Sequence, residues 1–223
     1  KGYVIILRAN ITLKNISIAA TAKNRIEGEA RFFRGLAHFE LVRLFAQPWG
    51  FTNDNSHLGI PLRTQFSLES LNRSTVKEVY DLVISDLLAA DSLLPDAPAN
   101  GKYYSATKWA AKAYLAKVYF QQNNFAKAYQ YANEVIESNK FILDATFDKR
   151  FSKGLSTEGI MVIADQTTPN QYNPGVELRN NFRSDISIPG FTFTDQFYNI
   201  ATARSADLRK AWYSNTLQAG YNV

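Results

Sequence analysis

Apolar positions recur at helical spacing through the first 140 residues of the chain and lose that period afterwards. Tyr3, Ile6, Leu13 and Ile16 repeat near the helical period, which predicts a packed helix ending before the polar run at Lys23-Asn24. Asn24, with Glu27 at the third position, makes a capping-box pattern for a second helix that runs through GEARFFRGLAHFELVRLF to about Phe45. Ala30, Phe33, Ala37, Leu41 and Leu44 share one face of it, and Phe32, Leu36 and Phe39 widen that face, so burial on two sides is expected. Arg31, Arg34 and His38 fall along a third stripe, His38 as a helix-face residue paired locally. Thr75 and Glu78 form another capping box, opening a helix to about Leu94 whose stripe includes Val76, Val79, Tyr80, Val83 and Leu87; Pro95 and Pro98 end it.

Residues 105–138 predict an antiparallel helical hairpin turning at Asn123-Asn124, capped by Ser105 and closed by Asn139 in the left-handed conformation. Trp109, Ala113, Ala116 and Phe120 share a face of the first helix; Phe125, Ala128, Ala132, Val135 and Ile136 do so on the second. Small residues at Ala113, Ala116, Ala128 and Ala132 suit a close crossing. The order Leu115-Ala116, Tyr119, Phe125, Ala128, Ala132, Val135 has tetratricopeptide spacing, the alternative being an ordinary helical hairpin. Trp109, Tyr114 and Tyr119 serve core packing or, alternatively, face a partner.

Between the regular stretches lie long segments without period. Residues 46–74 carry Trp49, Phe51, Leu58, Ile60 and Phe66, too apolar for simple disorder, and are expected to lie ordered against the body. GIMVIAD, residues 159–165, reads as a strand or extended segment, residues 166–190 as loop, and residues 194–213 as helical again. The expected fold class is all-α, with tetratricopeptide-like hairpins, long irregular loops and little β. Residues 1–223 form one domain, a helical array over 1–140 followed by a loop-rich part with a terminal helix over 141–223.

Composition narrows the chemistry. With 223 residues, 46% of them hydrophobic, the chain can bury a sizeable core. It has no cysteine, which excludes disulfides, thiolate metal sites and a cysteine nucleophile. The net charge of +5 is spread among acids without a basic block, the pattern of a solvated face and not of a nucleic-acid surface. The apolar start from Tyr3 to Ala20 is interrupted by Arg8, Asn10, Lys14 and Asn15, which a membrane-spanning helix would not tolerate. The chain opens without Met and already inside a helical pattern, as a piece of a longer precursor would.

Catalytic machinery has no motif here. The two histidines, His38 and His57, have no metal-ligand spacing, and Asp81 and Asp86 read as part of a solvated face. No catalytic residue, metal ligand or cofactor is expected. A ligand site needs an aromatic or apolar face beside a few amides, carboxylates or guanidinium groups for polar contacts. The 46–66 segment supplies that mixture in Trp49, Asn53, Asp54, Asn55, His57 and Arg63, the candidate ligand-binding residues. The competing reading buries Trp49 on the helices and leaves the asparagines to turn the chain. Asn170, Gln171, Tyr172 and Arg179 are secondary candidates.

Several segments in order resemble the SusD/RagB family of bacterial nutrient-binding lipoproteins. GEARFFRGLAHFELVRLF looks like its arginine-bearing helix, and HLGIPL (57–62) is similar to its Gly-hydrophobic-Pro-hydrophobic segment. RSTVKEVYDLVISDLLAADSLLP resembles the next helix, and the 105–138 hairpin resembles its tetratricopeptide-like pair. NKFILD, STEGIMVI and Asp207-Leu208-Arg209 are weaker matches. Members are longer than this chain, so both ends are expected to be missing. The resemblance implies an all-α, non-enzymatic protein anchored to the outer membrane by a lipid on a cysteine outside this chain. Such a protein captures oligosaccharide at the cell surface and passes it to a SusC-like TonB-dependent transporter; some relatives take up peptides instead. The alternative is a tetratricopeptide scaffold for a protein or peptide ligand.

Overall fold

Helix α2 (Lys23–Phe45) carries apolar side chains on two sides at once, and other helices pack against both. The computed structural model describes residues 2–67, 69–98, 105–146, 156–162, 193–213, 217–218 and 221–222. These fall into two compact units, Lys1–Ile163 and Ala164–Val223. In the first, α1 (Gly2–Lys14), a 3-10 segment (Ile16–Ala22), α2, α3 (Val76–Leu93), α4 (Lys108–Gln121) and α5 (Phe125–Glu137) follow in order. Each α-helix packs on the next, the serial arrangement of a helical array.

One core joins α2 through α5. Phe32 and Phe39 from α2, Val83 and Leu87 from α3, and Leu115 and Val118 from α4 are excluded from solvent. Burial of each such side chain contributes about 1.5–3 kcal/mol. Gly35 sets how near α2 and α3 come: a Cβ there would lie 3.2 Å from Asp86 Cβ and 3.4 Å from the Val83 carbonyl oxygen. That close approach lays Asp86 onto the surface of α2.

The second capping box forms as expected. Thr75 Oγ1 accepts from the Glu78 amide at 3.1 Å, and Glu78 Oε2 accepts from the Thr75 amide at 2.8 Å. Asn123 and Asn139 are left-handed, with φ of 58° and 54°, and Asn124 caps α5 by accepting from the Lys127 amide. Two other caps differ from expectation. Asn24 lies inside α2, because the helix is entered directly from the 3-10 segment and the Lys23 amide already donates to the Ala20 carbonyl. Ser105 does not cap α4; Thr107 holds the N-cap position without a side-chain bond, and the Lys108 amide donates to the Pro95 carbonyl across the connection.

The apolar stripes also shift where a neighbour is missing. Leu44 in the last turn of α2 is 73% exposed, and Phe120 and Ile136 are exposed at the hairpin surface. In α4 the buried positions are Ala110, Ala111, Leu115, Val118 and Tyr119, since burial follows the helices that cover a face and not hydrophobicity alone. Tyr119 stacks on Tyr131 of α5 at 5.7 Å, and Tyr114 meets Phe32 edge-on, so both tyrosines serve packing.

Residues 159–162 are irregular and not a strand; Ile160 and Met161 pack on the core, while 163–165 lie outside the described residues. In the second unit α6 (Asp195–Thr202) and a 3-10 turn (Leu208–Trp212) fulfil the helical reading of 194–213. A two-residue antiparallel ladder joins β1 (Leu217–Gln218) to β2 (Tyr221–Asn222), so β structure is slight. Among the described residues no single helix is long and apolar enough to cross a membrane.

Candidate ligand-binding site

The segment between α2 and α3 is ordered by two different sets of bonds. Its front half folds on itself. The Phe51 amide donates to the Pro48 carbonyl and the Asn55 amide to the Thr52 carbonyl, giving consecutive turns. Gly50, with φ of 87°, donates its amide to Asn55 Oδ1 at 2.6 Å, and Asn55 is itself left-handed at 58°. His57 closes the half. Its Nε2 donates to the Gln47 carbonyl at 3.2 Å, leaving Nδ1 to accept the Thr52 hydroxyl at 2.9 Å.

Beyond His57 the chain pairs with the start of α3. The Gly59 amide donates to the Ser74 carbonyl and the Ser74 amide to the Ile60 carbonyl. A Cβ on Gly59 would lie 3.0 Å from that Ser74 oxygen, so any other residue would crowd the Ser74–Thr75 backbone. Arg73 adds bonds from its guanidinium to the Gly59 and Leu58 carbonyls.

The back half, residues 61–65, is held from behind by buried polar groups. Arg34 donates twice to Asp86 at 2.7 Å, and its Nη1 donates to Asn10 Oδ1 at 3.0 Å and to the Thr64 carbonyl at 3.3 Å. Arg31 approaches the same carboxylate at 3.5 Å. Asp86 is therefore a fully buried ion-pair partner, not part of a solvated face as its sequence position suggests; Asp81 does stay exposed, paired with Lys77. His38 is fully buried, and burial pushes its pKa below the ordinary value, against the opposing hydrogen bond to the Arg34 carbonyl.

The candidate residues separate accordingly. Trp49 is half-buried with its ring 5.0 Å from Tyr80, between the open and the buried alternatives. Asn53 is exposed, and Asp54 is exposed with its carboxyl held below the usual range by the Ser56 amide and hydroxyl. Asn55 is buried and its side chain braces the turn. His57 is half-buried and braces the front. Arg63 spends its guanidinium on the Ser67 and Glu69 carbonyls. The structure thus brings Trp49, Asn53, Asp54 and His57 together on the front half and places Arg63 on the back. Asn170, Gln171, Tyr172 and Arg179 lie outside the described residues.

A groove of about 280 Å³ adjoins this front half, lined by Glu40, Arg43, Gln47, Pro48, Tyr80 and Gln121 among others. Tyr80 is shared between the groove and Trp49. Arg43 pairs with Glu40 at 2.9 Å, and Phe51, 61% exposed, meets His57 edge-on at 5.3 Å. Sequence reading missed this groove. Glu40, Arg43 and Gln47 follow one another at helical spacing into the loop, which was a readable signal; Gln121, from α4, gave none. Rings beside amides, a carboxylate and a guanidinium can stack on a sugar and bond its hydroxyls. Among the described residues no cluster of three His, Asp or Glu side chains could hold a metal.

Residues 1–120 match the family model described as starch-binding and associating with the outer membrane, SusD-like. The chain belongs to the SusD-like family. A relative, SusD-like protein P2 of Formosa agariphila, is 29% identical over 153 residues, which are 67% of this chain and 28% of that protein. A SusD superfamily protein of Bacteroides thetaiotaomicron superposes with a TM-score of 0.78 at 26% identity, over 97% of this chain and 50% of that one. A laminarin-binding SusD-like protein matches with a TM-score of 0.51 at 26% identity, over 60% of this chain and 28% of that one. The chain thus spans half or less of the lengths of these proteins, and the SusD-like fold is all-α as the sequence pattern predicts.

Proposed function

We propose that this SusD-like protein is a non-enzymatic receptor that captures oligosaccharide at the outer membrane, the front half of the α2–α3 loop and its groove forming part of the glycan contact. The observation that carries this reading is that the front half bears the exposed Phe51 ring, half-buried Trp49 and exposed Asn53, and adjoins a groove lined by Gln47, Arg43 and Gln121. The family description and the laminarin-binding relative support a glycan as ligand. A lipid anchor outside the chain would hold the receptor at the cell surface, and a SusC-like TonB-dependent transporter would receive the ligand.

Laminarin titrated into the protein tests this. Removal of the groove amides in Gln47→Ala with Gln121→Ala should lower affinity with the melting midpoint unchanged. Unchanged affinity across laminarin and a broad polysaccharide panel would remove the groove from the site. A second reading, a protein or peptide partner on the hairpin, is favoured by exposed Phe125, Tyr129 and Ile136 at 57%, 71% and 70%. On that reading the protein would show no affinity for laminarin or the polysaccharide panel, and Tyr129→Lys would weaken its binding to a protein or peptide ligand.

A further inference from the structure

The buried polar cluster behind the loop does nothing for a glycan directly. Nor does stability alone call for an ion pair there, since well-packed apolar side chains of similar volume often serve as well in place of both partners. Its remaining hydrogen-bonding capacity converges on one stretch of backbone. Asn10 Nδ2 donates to the Arg63 carbonyl at 2.9 Å and the Gln65 carbonyl at 3.3 Å, Arg34 to the Thr64 carbonyl, and Tyr3 to the Pro61 carbonyl at 2.9 Å. The Arg63 amide completes the set by donating to His38 Nε2 at 3.4 Å.

His38 is the titratable member, and its partners fix its state. A backbone amide can only donate, so Nε2 is the acceptor; Nδ1 then carries the proton and donates to the Arg34 carbonyl at 2.9 Å. A proton added to Nε2 would set two N–H groups against each other. The charges acting on the ring are the Arg34 cation of α2 and the Asp86 carboxylate of α3; in the cluster behind the loop, Arg31 also approaches Asp86, α1 supplies Tyr3 and neutral Asn10, and the Arg63 cation is turned toward Ser67 and Glu69. Asp86 favours the proton and Arg34 opposes it, while burial opposes it most.

We infer that His38, its Nδ1–H held by the Arg34 carbonyl, is a pH-sensitive positioning residue: neutral, it locks residues 61–65 in place, and protonated, it releases them. Release passes forward through Ile60 and Gly59, which pair with Ser74 directly beyond His57. Its effect on ligand rests on the glycan reading of the front half; the lock itself does not. The sign follows from linkage. The locked state has a His38 pKa below the ordinary 6.5, so the lock is intact above that value and weakens as pH falls through it.

Hydrogen exchange on the full chain, corrected for the intrinsic pH dependence of exchange, reads the lock directly. Protection of the Arg63 amide should fall between pH 7 and pH 5, while amides in the middle of α3 hold. His38→Gln keeps an acceptor without a titrating group and should stay protected at both pH values; His38→Phe lacks the acceptor and should be unprotected at both. Nitrogen shifts of the wild-type ring, which need no substitution, should show the Nδ1–H tautomer at pH 7. A flat wild-type protection factor, an Nε2–H tautomer, or pH dependence that survives in His38→Gln would overturn the lock. Laminarin affinity on the same samples separates the two claims. Affinity that stays constant while Arg63 protection falls leaves the lock standing and removes the loop from the ligand site.

Discussion

Residues 47–57 are braced by their own side chains, Gly50 on Asn55 and Thr52 on His57, whereas residues 61–65 are braced by groups from α1 and α2, Arg34 among them bonded to Asp86 of α3. The difference decides what each half can offer a ligand. A turn that satisfies its own backbone leaves Phe51, Asn53 and part of Trp49 free to face outward. A strand of backbone held from behind consumes the side chains around it, and Arg63 in that half is committed to neighbouring carbonyls. Arg34 and His38 of α2, two members of one polar stripe in the sequence, are part of the support of the loop.

The largest contrast between the halves should come from the support. Asp86→Ala strands the Arg34 cation in the interior and should cost about 3–5 kcal/mol, read as a drop in melting midpoint. Replacing both partners with apolar residues, Arg34→Met with Asp86→Leu, should recover most of that stability while Arg63 amide protection stays lost. Full protection in the double variant would mean that the cluster does not hold the back half.

In the front half, Asn55→Ala should cost about 1–2 kcal/mol, because alanine tolerates the left-handed backbone poorly and the Gly50 amide loses its acceptor. Asn55→Gly keeps the backbone conformation and should cost less, so equal losses would assign the effect to the hydrogen bond alone. Exposed Asn53→Ala should leave stability within about 0.5 kcal/mol of wild type and lower only glycan affinity. The smallest effect belongs to the junction with α3. Glu78 is held below its ordinary 4.5 by the Thr75 amide and hydroxyl, so the capping box contributes above that value and fades as pH falls through the depressed one. Thr75→Ala should flatten that part of an acid titration followed by melting midpoint.

Legibility followed the range of the interaction. Helices, the Thr75–Glu78 box and the left-handed Asn123 and Asn139 depend on neighbours in sequence, and the pattern carried them. The Asn24 and Ser105 caps failed because the chain before each helix supplies its own bonding partners, a fact of tertiary geometry. Asp86 was read as solvated since nothing near it in sequence reveals that Gly35 brings it against Arg34, 52 positions away. For the candidate site, residue chemistry marked this loop as a mixed apolar and polar surface, but it could not tell Asn53, which is exposed, from Asn55, which is spent on the turn.

Trp49→Ala tests the central claim most directly, with melting midpoint and laminarin affinity measured on the same preparation. The half-buried indole packs against Tyr80, itself a groove-lining residue, so the account predicts a stability loss below the roughly 3–5 kcal/mol of a fully buried Trp. It also predicts an affinity loss of about 2 kcal/mol or more, near thirtyfold, in the folded protein. A destabilised variant whose folded fraction binds laminarin with wild-type affinity would contradict it.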